Sequence, residues 1–452
     1  MAATPLAPRE GDTPHRYRPR TSLYVLTLVS LAAAFNYYDR YLLAILIEPI
    51  KGELGLSDTQ IGLLSGFAFA VVYCSAAIPI ARVADRGFRV RVLAAALGFW
   101  STMTALTGFS ASYAHLIASR LGVAVGEAGG LPSTHAIVVE YVPEARRATA
   151  LSIVAFVSAI GTSAAMIFGG MIADSYGWRW AFILAGIPGL LLALLIWLTI
   201  TEPRPVLPSE GLVTSLAPPT LREALQALWR RRSFVYFCVG TGFGMISVFA
   251  FQIWAPSFLM REFGLTAGEV STSYSIVFTV GNLAAAILGG ILYDTLFRRD
   301  VRWAFWLQAI SFGASLPLGL VFLFAPNYTF LLLITPLVIL INSLYSTPAY
   351  ALVQGLSGPR LRATGAAVFM LVANLVGFGL GPSLVGFISD LLVPAFGNES
   401  LKYALAAVFF SGPVAAMIFV KAAARVEEDL AAADPGLVLP STRSRPDAIS
   451  SR

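Results

Sequence analysis

Apolar stretches of about the length that a helix needs to cross a bilayer recur along the whole chain. A helix rises 1.5 Å per residue, so about 20 apolar residues cross a hydrocarbon core of about 30 Å. Because only helices satisfy their own backbone polar groups in lipid, the predicted fold class is an all-α membrane protein with 12 transmembrane helices. The predicted spans lie near residues 22–50, 59–82, 90–112, 114–141, 148–174, 179–200, 233–260, 269–293, 302–325, 328–356, 363–392 and 401–421.

The composition agrees with this class, and the distribution of charge adds an orientation. Mean hydropathy is +0.74, and only 12% of the residues are charged. The net charge of +6 could indicate a nucleic-acid partner, but most lysines and arginines fall in the tails and in the loops on one side of the predicted spans. This asymmetry is the positive-inside pattern. It predicts an integral protein of the cell or inner membrane with both termini in the cytoplasm, and no nucleic-acid partner.

The predicted fourth span carries two charged residues that hydrocarbon disfavours, Arg120 and Glu127. Seven residues at 100° each return Glu127 to within about 20° of Arg120, so both lie on one helix face. Glycines such as Gly122 and Gly126 remove side chains from this helix, which lets neighbouring backbones approach closely. We therefore expect both charges to be buried in a bundle, facing other helices or a cavity.

The first span adds charged residues at an overlapping depth, because its stretch NYYDRY contains Asp39 and Arg40. Asp39 could meet Arg120 or Glu127 across a helix pair. One hypothesis is that Asp39 and Glu127 carry a coupled proton. Arg120, with Arg40, would then bind an anionic head group, since guanidinium suits phosphate. The alternative is that these charges only hold helices together. Asn36 and Tyr37 complete the substrate-binding candidates in this stretch.

A pattern at the end of span 2 returns at the end of span 8: Asp85 with Arg86 and Arg89, then Asp294 with Arg298. Because further matches recur at nearly constant offset, the chain contains an internal duplication of six spans. These matches pair Arg147 with Arg362, Gly161 with Gly377, and Asp174 with Asp390. The predicted domains are a disordered cytoplasmic tail at 1–21, a six-helix bundle at 22–201, a cytoplasmic linker at 202–232, a second six-helix bundle at 233–421 and a cytoplasmic tail at 422–452.

This duplicated signature and the stretch GWRWAF at 177–182 resemble the major facilitator superfamily. Within it, NYYDRY, RLGVAVGEA and PEARRATALS resemble the spinster-like branch, whose members export lysophospholipids or sphingosine phosphates. The resemblance implies two pseudo-symmetric six-helix bundles with a substrate site between them near mid-membrane. It also implies that residues near the cytoplasmic ends act as gating residues when the transporter faces outward; they could instead only set topology. The candidates are Asp85, Arg86, Arg89, Arg147, Asp294, Arg298 and Arg362. Ala81 departs from the family pattern, which has glycine there.

The second half has almost no charge inside its spans but many aromatic residues. An apolar wall suits a hydrophobic tail, so Phe249, Trp254 and Tyr345 are substrate-binding candidates; the alternative is that they face lipid or pack in the core. Ahead of this half, residues 221–232 alternate apolar and basic positions as a surface-lying amphipathic helix does. That pattern predicts membrane anchoring.

No nucleotide-binding loop is evident, and no set of catalytic or metal-ligating residues indicates an enzyme or a cofactor. The two cysteines, Cys74 and Cys238, fall in separate spans. The predicted function is therefore proton-coupled secondary transport, by a monomer, of an amphiphilic anionic lipid such as a lysophospholipid or sphingosine phosphate. One alternative is a proton-coupled transporter of soluble organic anions or drugs. A lipid sensor that transports nothing is an alternative of another class.

Overall fold

The computed structural model describes residues 19–202, 220–358 and 360–433. Both predicted tails fall largely outside the described residues, as does the linker segment 203–219. In the first half of the chain the helices are α1 (Pro19–Leu54), α2 (Asp58–Ser65), α3 (Phe67–Asp85), α4 (Arg89–Thr107), α5 (Tyr113–Glu127), α6 (Gly130–Tyr141), α7 (Arg147–Tyr176) and α8 (Trp178–Thr199).

The linker and the second half continue in the same all-helical manner across the described ranges. Their helices are α9 (Leu221–Arg230), α10 (Arg232–Phe263), α11 (Ala267–Phe297), α12 (Trp303–Gly313), α13 (Ser315–Leu323), α14 (Tyr328–Ser343), α15 (Ser346–Ser357), α16 (Arg362–Val372), α17 (Gly379–Phe396), α18 (Ser400–Phe409), α19 (Ser411–Ala423) and α20 (Val426–Ala433). A π-helical segment, Ala373–Phe378, joins α16 to α17.

Each of the twelve predicted spans is helical, and several consist of two consecutive helices. Span 2 is α2 with α3, span 4 is α5 with α6, and spans 9, 10 and 12 are divided in the same way. Within the described ranges, 8 helical segments are long and apolar enough to cross a membrane, and one of them, Thr364–Ala423, is 60 residues long. Because 60 residues far exceed the 20 that one crossing needs, this segment accounts for two spans.

Local sequence explains where several helices begin and turn. Ser57 and Gln60 form a capping box at the start of α2, and Thr266 and Glu269 form another at the start of α11. The short turn between α10 and α11 requires a positive φ of 65° at Gly264, a conformation that glycine adopts without steric cost. These signals mark the beginning of α2, the end of α10 and the beginning of α11.

The described residues form two compact units whose boundaries cut across helices. The first comprises described residues of Met1–Leu42, Ser75–Met166 and Arg179–Ser209, and the second those of Leu43–Cys74, Ile167–Trp178 and Glu210–Arg452. The second unit contains a large apolar core in which aromatic rings stack, for example Phe237 on Phe369 with centroids 5.2 Å apart.

The chain beyond span 12, for which the sequence predicted only a cytoplasmic tail, continues with a further helix. Residues 426–433 form α20, in which Val426, Leu430 and Ala433 are buried. Their i, i+4 and i+7 spacing places all three on one helix face, which packs on the core of the second unit. The stretch is rich in acidic residues, and its apolar stripe is too short for the sequence pattern to predict this helix.

Candidate substrate and proton site

The first unit brings α1, α4 and α5 close together, and the glycines of α5 make this possible. A methyl group on Gly126 would lie 2.6 Å from the Cβ atom of Trp100 in α4 and 2.9 Å from its backbone nitrogen. Glycine is therefore the residue that fits this crossing. The α5 helix ends at Glu127, and α6 begins at Gly130, so the predicted single span is interrupted beside its acidic residue.

Arg40 of α1 and Glu127 of α5 form an ion pair in which Nη2 lies 2.7 Å from Oε2. The side chain of Glu127 is fully buried, while that of Arg40 retains 12% exposure. A buried carboxylate is costly unless a charge and hydrogen bonds compensate it, and Arg40 provides both. The pair is therefore accessible only on its Arg40 side.

Asp39 and Arg120 lie in the same cluster. The hydrogen bond between them involves the backbone of Asp39, whereas the sequence suggested contact between charged side chains. Nη1 of Arg120 donates to the backbone carbonyl of Asp39 at 3.4 Å, and both side chains are buried. The Asp39 carboxyl interacts electrostatically with Glu127 and Arg120 and lies near Thr104 and Trp100 of α4. Successive residues on a helix point 100° apart. Arg40 can therefore form an ion pair with Glu127 while Asp39 faces α4.

Asn36 and Tyr37, the remaining candidates in span 1, lie at the border of this cluster. Asn36 is buried, and a methyl group on Gly130 would lie 3.3 Å from its Nδ2 atom. The ring of Tyr37 has the Arg40 guanidinium 6.0 Å from its centroid, at the outer limit of a cation–π contact. The structure thus brings all six span 1 and span 4 candidates into one region of the first unit.

The second unit contains an ionic cluster that the sequence analysis did not select. It lies at what we call the outer end, where α1 terminates. Arg261 of α10 donates bidentately to Asp58 of α2, at 2.8 and 2.7 Å, and also to Glu48 of α1 at 2.7 Å. Lys51 donates to Asp58 at 2.6 Å. Bidentate arginine–carboxylate bonds are strong and directional, so these contacts hold the outer ends of α1, α2 and α10 together.

Asp390 of α17 completes the outer cluster by capping α2. Its carboxylate accepts the backbone N–H groups of Asp58 at 3.0 Å and Thr59 at 2.8 Å. Its duplicate Asp174, at the end of α7, accepts the N–H of Gly268 at the start of α11 at 2.9 Å. The repeated GMIAD and GFISD stretches therefore each provide an aspartate for the N-terminus of another span. That repeat was the sequence signal for this cluster.

The aromatic candidates of the second half have three different environments. Phe249 packs edge-on against Phe378, with centroids 5.1 Å apart, and Phe378 packs in the same way against Phe69 at 5.7 Å. Tyr345 stacks on Phe312 at 4.9 Å. Trp254 is fully buried, and its indole N–H donates to the Pro382 carbonyl at 3.0 Å. In this conformation Trp254 is a packing residue.

A small cavity of about 20 Å³ lies inside the second unit. It is lined by polar residues such as Gln252 and Asn342 together with Phe251 and Phe278. This volume holds about one water molecule. The cavity is therefore too small for a hydrocarbon tail in this conformation.

The gating candidates lie at the ends of spans and are mostly exposed. Arg89 pairs with Glu140 at the end of α6, and Nε of Arg147 donates to the Val142 carbonyl at 3.3 Å. The side chain of Asp85 lies outside the described part of the structure. Among the described side chains, none forms an ion pair with the exposed candidates Arg86, Asp294, Arg298 and Arg362.

Comparison with known proteins assigns this chain to a family. The sequence model of the Major Facilitator Superfamily matches residues 29–382. The chain belongs to this superfamily. It is therefore a transporter and not an enzyme, and its twelve spans form the major facilitator fold.

Individual relatives identify the branch. The chain is 34% identical to an MFS-type efflux pump of Mycolicibacterium smegmatis over 95% of its own length and 99% of the relative. It is 25% identical to the sphingosine-1-phosphate transporter SPNS2 of Danio rerio, covering 90% and 85% of the two chains. The crystal structure of a bacterial homologue of the human lysosomal transporter spinster, inward-facing and unoccupied, matches with a TM-score of 0.82 and 26% identity over 91% and 99%. The superfamily member is thus spinster-like.

Proposed function

We propose that this transporter couples proton movement to the movement of an amphiphilic anionic lipid, such as a lysophospholipid or sphingosine phosphate. The observation that carries the proposal is the buried ion pair between Arg40 and Glu127, with Asp39 and Arg120 beside it. Two acids and two arginines in one buried cluster allow protons and an anion to compete for the same guanidinium groups.

The exchange follows from charge balance. When Glu127 gains a proton, its attraction for Arg40 falls, and the guanidinium becomes available to an anionic head group. When Glu127 loses the proton, the ion pair re-forms and displaces that anion. Asp39 would act as the second proton carrier, and Arg120, held by the Asp39 carbonyl, as the second cationic contact. Asn36 and Tyr37 would border the head group.

The outer ionic cluster supports an alternating-access cycle. Arg261, Asp58 and Asp390 join α10, α2 and α17 at the outer end, and Phe69, Phe249 and Phe378 pack together within the same unit. We propose that both layers close the outer side in one half of the cycle and separate in the other. The cytoplasmic residues Asp85, Arg86, Arg89, Arg147, Asp294, Arg298 and Arg362 would close the opposite side in that second half, with both chain termini in the cytoplasm.

The amphiphilic class of substrate is supported by two facts. The zebrafish relative is a sphingosine-1-phosphate transporter, and the second half of this chain offers aromatic residues rather than charges to a ligand. Phe249 and Tyr345 would contact the tail after the packing of Phe249 and Phe69 against Phe378 opens. Proton-coupled transport of soluble organic anions or drugs is the second candidate, which the 34% identical efflux pump favours.

A transport assay in proteoliposomes separates these candidates. The purified chain is tested under an imposed pH gradient against a panel of lysophospholipids, sphingosine phosphate and soluble organic anions of equal charge. We expect pH-driven movement of the single-chain lipids and little movement of the soluble anions. The reverse order of rates would support the drug or organic-anion transporter, and no substrate-dependent movement of any member would support a lipid sensor.

A further inference from the structure

The helix α9, in the linker between the two halves, has two unlike faces. Ala224 and Leu228, four residues apart, are buried in the apolar core of the second unit. Leu225 and Trp229, also four apart, are 36% and 69% exposed. Residues four apart share a helix face, so one face of α9 packs on the protein while another presents a leucine and a tryptophan outward. The sequence predicted a surface-lying helix that anchors in the membrane, but not that a second apolar face, with Ala224 and Leu228, packs on the protein.

The outward face is bordered by arginines. Arg222 and Arg230 lie on α9 and Arg232 begins α10, and all three are exposed. The acidic residue of this helix, Glu223, is engaged at its start: the backbone and side chain of Thr220 hydrogen-bond to it and hold the pKa of Glu223 below its usual value. Nearby Asp429 accepts the N–H of Ser233 at 2.7 Å. The surface thus carries a net positive charge.

Chain connectivity fixes the level of this surface relative to the bilayer. Arg231 ends α9 with an extended backbone, and its side chain donates to the Leu356 carbonyl at 2.6 Å. The membrane-spanning α10 begins at the next residue. The α9 helix therefore lies where a span enters the membrane, the level at which tryptophan and arginine side chains are characteristically found.

We propose that the outward face of α9 is a binding surface for negatively charged lipid head groups of the adjacent leaflet. Leu225 and Trp229 would enter the boundary between head groups and acyl chains, and Arg222, Arg230 and Arg232 would contact phosphates. Juxtamembrane arginines gain attraction to anionic lipid, whereas zwitterionic lipid provides no net charge to attract them. This surface is separate from the substrate cluster and does not depend on the proposed function.

Local lipid quenching tests the proposal on the full chain. Gln226, exposed and uncharged on α9, is replaced by cysteine in a Cys74→Ser, Cys238→Ser background and labelled with a fluorophore. The protein is reconstituted in vesicles of phosphatidylcholine and phosphatidylglycerol in equal parts. A nitroxide is placed on the acyl chain of either phosphatidylcholine or phosphatidylglycerol, and the quenching of the fluorophore is compared between the two samples. We expect phosphatidylglycerol to quench more strongly, with each arginine contributing on the order of fivefold to local enrichment at low salt.

Matched variants test whether the three arginines cause the preference for phosphatidylglycerol. The triple variant Arg222→Gln, Arg230→Gln, Arg232→Gln is expected to bring the quenching ratio close to unity, and the corresponding lysine variant to retain it. Arg146→Gln, which changes an exposed arginine elsewhere, should leave the ratio unchanged. A wild-type ratio near unity, or a ratio that survives the triple glutamine change, would overturn the proposal. The first result is the one expected if this face binds a protein partner rather than anionic lipid.

Discussion

Arg40 and Glu127 meet at 2.7 Å although 87 residues separate them in the sequence. One partner is fully buried and the other slightly exposed. A buried ion pair contributes little net stability compared with apolar packing, but removal of one partner leaves an uncompensated charge. The cost of retaining such a pair in a membrane protein is consistent with a functional role.

The first prediction concerns the stability of this pair. Glu127→Ala leaves Arg40 without its carboxylate and should destabilise the folded protein by on the order of 3 kcal/mol. Glu127→Gln keeps a hydrogen-bond acceptor and should cost less. Thermal unfolding of the detergent-solubilised variants, monitored by tryptophan fluorescence, measures which substitution destabilises the protein more. Equal melting temperatures for the alanine variant and the wild type would contradict the buried pairing.

A second prediction separates two glycines of α5. A methyl group on Gly126 meets the Trp100 backbone, whereas one on Gly122 meets Cγ and Sδ of Met103 at 2.6 Å, the movable part of a flexible side chain. Gly126→Ala should therefore lower the melting temperature clearly, and Gly122→Ala should lower it less. The opposite order would show that α4 and α5 cross elsewhere.

A third prediction addresses the outer ionic cluster. Arg261→Ala removes the bonds to Glu48 and Asp58 and should make the outer side open more often. A cysteine at position 69, where the native Phe69 is buried, would then react faster with a membrane-impermeant maleimide added outside. The background lacks Cys74 and Cys238.

Lys402→Ala is the matched control for this experiment. It breaks another ion pair of 2.7 Å, with Glu262, that lies outside the cluster. We expect labelling at position 69 to stay at the wild-type rate in this variant. Equal acceleration by both substitutions would mean that general loosening, rather than the Arg261 contacts, controls the opening.

The fourth prediction concerns the GWRWAF stretch. The indole nitrogen of Trp178 donates to Glu53 at 2.6 Å, whereas Trp180 is 51% exposed. Hydrogen bonds to charged groups contribute about 1.5–3 kcal/mol, so Trp178→Phe should destabilise the protein by roughly that amount. Trp180→Phe should be nearly neutral. Thermal unfolding measures both variants. A Trp178→Phe protein as stable as the wild type would show that this hydrogen bond contributes no stability.

The sequence predicted the spans and the region of the charge cluster because both follow from simple rules. Apolar length identifies a span, and charges inside one, such as Arg120 and Glu127, are rare enough to indicate a site. The partner of each charge was not predictable. Asp39 and Arg40 are neighbours in sequence, and only the packing of α1 against α4 and α5 decides which of them faces Glu127.

The outer cluster was missed for a different physical reason. Glu48, Asp58 and Arg261 lie near predicted span ends, where a charged residue is ordinarily solvated and carries no signal by itself. Only the repeated aspartates, Asp174 and Asp390, marked these ends as special. Similarly, α20 was hidden because three buried apolar residues within an acidic stretch are too few to indicate a helix by pattern alone.

Substrate-driven proton movement in proteoliposomes is the most direct test of the proposed coupling. Vesicles that contain an internal pH indicator receive a lysolipid gradient but no pH gradient, and the interior pH is followed. We expect a pH change with the wild type that an uncoupler abolishes, and no such change with the double variant Asp39→Asn, Glu127→Gln. A double variant that moves protons with the lipid as fully as the wild type would contradict the assignment of these two carboxylates.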